Sequence, residues 1–532
     1  MRFFALTLAC LSLAAPALAQ EAVAPADSAT PDSAAPDVAA PAEEAPPEPL
    51  VKVHVTGFLD SRVTGAYASV AHLLPSDDVA HLANLTEGNV QLKLDWGTRA
   101  TALADASFIY QKAGLYFGND GTGQRLQLAD HDVVAYRPSA VLSEFYGTYN
   151  FADHFNVTLG KKRIVWGPGL AINPTDLLNP PKDPTDPTMQ RAGSWMARLE
   201  APFDLFTLSF VAAGKVTRQF GGVPSGLVYY PDAHPAPTYD QYGNVQPDGY
   251  DNRPHYALAA RAYALWQETD LDLYWFQTQQ YNDAFNYKNR LGFSASHVFF
   301  NALELHLEAI GFQGSSKAYF DPACIGSASA FQTCGMAGKT PGGYTQIDDP
   351  GVRVKALAGG RWQFGDNASF TFEYFYNGEG YNSTEFNNFA QVMSLRPQLL
   401  SLMDTLASAH VSLPGNALSL LSPTTSADTG SPQKYTFEPL RRHYAFFTYL
   451  HTMIADDWNI NAVVLLGLED LSGQIAPQLT WLTREWLNLT LGGLYTIPGV
   501  KSLGAQVADA RYTENAMQPT VWRVFLSARV FY

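Results

Sequence analysis

Three ionisable residues in the stretch "ALELHLEA" stand two apart: Glu304, His306 and Glu308. In an extended chain that spacing puts all three on one face, where two carboxylates could orient an imidazole as a general base. The partners such a base would serve are missing: the sequence contains no G-x-S-x-G, no H-E-x-x-H and no glycine-rich phosphate loop. Charge recurs elsewhere in a different pattern. In "GVRVKALAGGRW", Arg353, Lys355 and Arg361 oppose Val352, Val354, Ala356, Ala358 and Trp362. Arg198 with Glu200, Arg261, Glu373, and the late pair Arg523 and Arg529 fall on the polar side of similar segments. Lining a lumen, such residues create a transverse field and a size limit for passing solutes. In a narrow lumen they would instead pair with one another as a polar core. Selection by charge fits these residues better than catalysis does, and a barrel enzyme acting on lipid or protein is the weakest reading.

The third chemical candidate is "GKKRIVWGPGLAINPTDLLNPPKDPTDP", residues 160–187. Its prolines stiffen the chain, while Asn173, Asp176 and Asn179 suit side-chain turns onto their own backbone. A stiff loop directly after Lys161, Lys162 and Arg163 could fold inward and set a constriction, with Lys162, Arg163, Asn173 and Asp176 at its edge. The alternative is an external loop capped against its neighbours.

Whatever these residues do, short alternating segments must position them. From residue 51 the sequence runs in stretches of about 10 residues at period two, the length of a tilted strand crossing a bilayer. "QLKLDW" sets Leu92, Leu94 and Trp96 against Lys93 and Asp95, and "VWRVFLSARVFY" closes the chain with Trp522, Val524, Leu526 and Val530 against Arg523, Ser527 and Arg529. Aromatics make up 13% of residues but only 16% are charged, well under the roughly 25% of soluble domains. Mean hydropathy is −0.11, and beyond the N-terminus no apolar run reaches the roughly 18 residues of a membrane helix. That combination predicts an all-β fold, a transmembrane antiparallel β-barrel.

Loop lengths sharpen this expectation. The segments ending near Asn150, Pro202, Trp266, Phe300, Trp362, Met453 and Thr483 lead into another within about five residues, whereas the connections 166–192, 216–253, 314–350 and 379–437 are long. Sorting of short turns and long loops is the habit of outer-membrane barrels, and counting on it gives about 16–18 strands from near 52–62 to 519–532. The last strand should pair with the first, leaving no edge. Trp96, Tyr149, Trp266, Phe299, Trp362, Trp458, Trp481 and Trp486 gather near the short turns as an interfacial belt would. Leu399, Leu400, Met403, Leu406 and Val411 recur at helical spacing in the longest loop, which predicts one short amphipathic helix.

Outside the barrel, residues 1–19 read as a signal peptide with a cleavable Ala17-Leu18-Ala19 end, and 20–50 as a disordered Ala/Pro-rich spacer, leaving 51–532 for the barrel. The context of Cys10 suits lipidation poorly. The other two cysteines, Cys324 and Cys334, are expected to form a loop disulfide in an oxidising compartment, without a metal or any cofactor. A net charge of −16 argues against nucleic acid as a partner.

Two stretches resemble known families. Trp166-Gly167-x-Gly169 followed by Asn173-Pro174-Thr175-Asp176-Leu177-Leu178-Asn179-Pro180 resembles a pattern of poorly characterised, porin-like outer-membrane barrels of Gram-negative bacteria, over about 50 residues up to Arg191 and Arg198. Tyr532 resembles the C-terminal aromatic signal read by the barrel-assembly machinery. The resemblance implies the cell outer membrane, with both termini periplasmic and with lipid and lipopolysaccharide around the barrel. By analogy with porins it implies a homotrimer, for which no residue argues. About 18 strands leave an aqueous lumen, so passive diffusion of small hydrophilic solutes past the charged residues is expected. The alternative is a plugged barrel with a structural, surface-binding or export-related role.

Overall fold

The structure, a computed structural model, describes residues 51–68, 80–116, 135–151, 155–179, 184–185, 193–215, 255–279, 289–319, 321–324, 327, 329–330, 333–334, 344–346, 350–365, 367–391, 439–499, 513–515 and 520–532. The expected signal peptide, the spacer, and the helix around Leu399–Val411 lie outside the described residues.

Period-two sequence becomes strand throughout. Four long strands open the barrel: β1 (Lys52–Ala68), β2 (Ala80–Trp96), β3 (Ala100–Tyr116) and β4 (Ala135–Phe151). They are followed by β5 (Phe155–Lys162), β6 (Ser194–Pro202), β7 (Phe206–Lys215), β8 (His255–Trp266), β9 (Thr269–Gln279), β10 (Asn289–Phe299) and β11 (Leu303–Gln313). A two-stranded hairpin, β12 (Ser315–Tyr319) and β13 (Tyr344–Gln346), stands apart from the main sheet. The barrel resumes with β14 (Val352–Phe364), β15 (Ala368–Asn377), β16 (His443–Ile454), β17 (Trp458–Gly467), β18 (Gly473–Arg484), β19 (Leu487–Ile497) and β20 (Thr520–Phe531).

These form one antiparallel sheet of 18 strands in which each pairs with the next, β11 passing directly to β14. Closure comes from β1, which pairs with β2 on one side and with β20 on the other, from Phe58↔Phe531 to Tyr67↔Trp522. Among the described residues each barrel strand is paired on both sides, which supplies the backbone partners that a bilayer cannot. Alternation sorts the faces. On β11, Leu305 and Leu307 are exposed to the outside while His306 and Glu308 are buried inside. The protein is therefore a transmembrane β-barrel, apolar side out.

Eight strand-to-strand gaps at one end are two or three residues long, among them Gln267–Glu268. Gln267, Glu268, Phe300 and Asn301 take positive φ, as tight hairpins require. At the other end the connections are long, except 468–472 between β17 and β18. The hairpin β12–β13 and a short 3-10 turn, Pro322–Cys324, occupy part of the long connection after β11, where Cys324 and Cys334 are disulfide-bonded with Cα atoms 5.7 Å apart. The sequence pattern had no sign of this hairpin because its strands are only five and three residues long. The eight belt aromatics are all exposed near the short-turn end, and Trp458 stacks on Trp481 at 5.5 Å.

Candidate constriction

Beyond Lys162, where β5 ends, the chain does not leave the barrel. Residues 163–179 brace themselves with the polar side chains of the motif. Asn179 Nδ2 donates to the Ile164 carbonyl and to Asp176 Oδ1, while Ile164 N–H donates to Asn179 Oδ1. Asn173 Nδ2 donates to the Gly167 carbonyl at 2.9 Å, and Asp176 N–H to the Asn173 carbonyl at 3.1 Å. Asparagine and aspartate do this work because their short side chains imitate a backbone turn.

The braced loop docks on two carboxylates of the inner wall. Glu308 on β11 accepts from Gly169 N–H (3.3 Å), Thr175 N–H (2.6 Å) and Thr175 Oγ1 (2.6 Å). Glu373 on β15 accepts from Leu170 N–H (2.6 Å) and Ala171 N–H (2.8 Å), and its Oε1 lies 3.1 Å from His306 Nε2. Both carboxylates are 1% exposed. A buried carboxylate needs several donors, and here the backbone supplies most of them. Since Glu308 and Glu373 face inward, the loop lies inside the barrel.

The glycines make the approach feasible. Gly167 has φ +89°, and a Cβ there would come within 2.5 Å of the Glu308 carboxylate; at Gly169 it would strike the Ile172 carbonyl. Trp166, 1% exposed, anchors the loop by stacking on Tyr274 and packing on Phe276, each with ring centroids 5.7 Å away. With Ile164 and Leu178 it forms one apolar cluster with inward residues of β6–β11, and Ala171 joins Leu357, Phe375, Tyr444 and Leu465 on β14–β17. This inner apolar band escaped the sequence reading. On β9 and β11 the inward face changes from Asp270 and Asp272 to Tyr274 and Phe276, and from Glu304, His306 and Glu308 to Ile310 and Phe312. Only the position of the loop explains that change.

The remaining candidates divide between walls. On β6–β9, Arg198 pairs with Glu200, and Arg261 grips Asp272 through Nε (2.6 Å) and Nη2 (3.2 Å). The Lys162 ammonium lies 4.3 Å above the Tyr146 ring, and Arg163 N–H donates to Glu144 at 2.8 Å. On the opposite wall Arg529 holds Asp60 through Nη2 at 2.7 Å and Nε at 3.2 Å; Arg523 lies in register with Ala66 of β1. Lys355 pairs with Glu379, Arg353 stands level with Phe312, and Arg361 is exposed level with Glu304, whose Oε1 is 3.6 Å from His306 Nδ1. These pairs join neighbours on one wall. Asp60 escaped the sequence reading because an isolated acid in a strand carries no motif.

Beside the loop, towards the short-turn end, a cavity of about 460 Å³ remains. Its wall carries Glu200, Thr207, Ser209, Arg261, Tyr263, Asp270, Asp272, Ser294 and Ser296, with Val165, Gly167 and Pro168 of the loop opposite. At the long-loop end, residues 383–391 are helical, capped by Asn382 Oδ1, which accepts from Glu385 N–H at 2.9 Å while Glu385 Oε2 accepts from Asn382 N–H at 2.8 Å. Nearby connections meet at Glu514, which accepts from Leu440 N–H and the Tyr444 hydroxyl, both at 2.7 Å. Burial pushes the Glu514 carboxyl up to about 8, with the Asp470 charge as the second cause. Among the described residues no group of three His, Cys, Asp or Glu could hold a metal ion.

No family model matches the chain, and neither does any curated protein. Solved structures give distant superpositions. Pseudomonas aeruginosa OpdK, solved with vanillate, has a TM-score of 0.44 at 8% identity over 90% of this chain and 98% of that one. Pseudomonas aeruginosa OccK3 (OpdO) has 0.42 at 10% identity over 90% and 95%. A variant of the Rh. blastica porin has 0.34 at 9% identity over 90% and 100%. At such values, function must be read from this chain's own residues.

Proposed function

We propose that this barrel is an outer-membrane channel for passive diffusion of small hydrophilic solutes. The observation that carries the reading is the docked loop 163–179, which occupies part of an 18-stranded barrel yet leaves a polar cavity of about 460 Å³ on the β6–β10 wall. A barrel of this strand number is wide enough for an aqueous lumen, and a loop tethered at Glu308 and Glu373 narrows it at fixed positions. Lys162, Arg163, Arg198, Arg261 and Glu304 then set the charge met by a solute, while His306, Glu308 and Glu373 hold the loop. The short-turn end with both termini faces the periplasm, the apolar exterior meets lipid and lipopolysaccharide, and Tyr532 is the handle for the barrel-assembly machinery.

The apolar band beneath the loop favours a second reading, a barrel kept plugged for a structural, surface-binding or export-related role. Proteoliposome swelling with small sugars and amino acids separates the two. Swelling that falls steeply with solute size supports a narrowed channel. No swelling from folded protein, restored when Glu308 and Glu373 are both changed to alanine, supports the plug.

A further inference from the structure

The cavity beside the loop has an excess of acceptors. Three carboxylates face it, and two of them are matched: Glu200 by Arg198, Asp272 by Arg261. Asp270 makes no ion pair among the described residues. Its oxygens are held only by hydroxyls, the Tyr263 phenol at 2.5 Å and Ser296 Oγ at 3.3 Å. Ser294 Oγ likewise donates its proton to Asp272 at 3.2 Å. Each hydroxyl spent on a carboxylate keeps only lone pairs to offer, and Arg261 has turned both Nε and Nη2 to Asp272. Glu144, Lys162 and Arg163 lie outside the lining of this cavity. What fits such a wall is a solute that brings its own donors and a positive charge.

We propose that this cavity is the cation-selecting station of the channel and takes small ammonium-bearing solutes, with Asp270 as the specificity-determining residue. Acidic side chains lining a pore are a general device for favouring cations. This inference rests on the channel reading above. One unpaired carboxylate in a water-filled passage favours a monovalent cation over an anion by roughly fivefold at low salt, and by less as salt rises.

The test is the reversal potential of the full-length barrel in planar bilayers, under a gradient of potassium chloride and then of ethylammonium chloride. The wild type is expected to pass either cation over chloride roughly fivefold. Asp270→Asn should bring both ratios close to unity. Thr207→Lys, whose ammonium offsets the Asp270 charge on the same wall, should likewise bring them close to unity. Steps that prefer chloride in the wild type, or a cation preference that both variants retain, would overturn the assignment and leave the channel reading standing. Absence of steps in all three proteins would overturn the channel reading and this inference with it.

Discussion

Glu308 holds the inward loop, and its removal should be measurable at a residue that the loop hides. Changing Glu308 to alanine deprives Gly169 N–H, Thr175 N–H and Thr175 Oγ1 of their acceptor. Hydrogen bonds to a charged group contribute about 1.5–3 kcal/mol each. The alanine also removes a buried carboxylate whose desolvation opposes docking, which offsets part of the loss. Counting one to two bonds' worth as the net, the docked state loses about 3 kcal/mol, so the open population rises roughly a hundredfold. Ala171 is 1% exposed and sits in the docked loop, and the chain's two barrel cysteines are already bonded to each other. In an Ala171→Cys background, a water-soluble maleimide should therefore label roughly a hundred times faster once Glu308 is alanine. Trp166 and Glu373 still hold the loop in that variant, so the barrel itself should stay folded by heat-modifiable migration. An unchanged labelling rate in a folded barrel would refute the idea that these three bonds retain the loop.

Three further outcomes follow from the geometry. Trp166→Ala empties the site between Tyr274 and Phe276 and should cost the docked loop about 3–5 kcal/mol, seen as protease cleavage within 163–179 of an otherwise intact barrel. Glu514 titrates near 8 when folded and near 4.5 when exposed. The folded state thus binds the extra proton, and the loop cluster at Leu440 and Tyr444 should lose stability as pH rises from about 4.5 to 8, by at most about 1.4 kcal/mol per unit. Hydrogen exchange at Leu440 N–H should follow that trend in the wild type and not in Glu514→Gln. The Tyr532 ring covers Gly57, and its hydroxyl donates to the Asn89 carbonyl at 2.7 Å. Tyr532→Ala should slow barrel closure in refolding assays, while Tyr532→Phe should remain close to wild type.

Strand count and closure were legible in the sequence because both follow from local rules. Period-two alternation in "ALELHLEA" and "VWRVFLSARVFY" assigns faces residue by residue, and the long connections cannot face lipid. Strand length was less legible: β1 to β4 each run 17 residues, well past the tilted span, since strands can extend beyond the bilayer where polar residues continue the alternation. The loop after Lys162 was visible as a stiff segment from its Asn and Pro content. Its docking partners were not, because Glu308 lies 133 residues from Thr175 and Glu373 lies 202 from Ala171. Nothing local marks a carboxylate that waits for a distant N–H. The glycines of Trp166-Gly167-x-Gly169 made sense only when the Glu308 carboxylate was found against them.

Whether loop 163–179 narrows an open barrel decides between a channel and a plug. Single-channel conductance in a planar bilayer, comparing the wild type with Glu308→Ala/Glu373→Ala, tests it most directly. Discrete steps are expected from the wild type, and larger, noisier steps once both tethers are gone. Equal steps from the two proteins, or silence from both in samples shown to be folded, would contradict the narrowing.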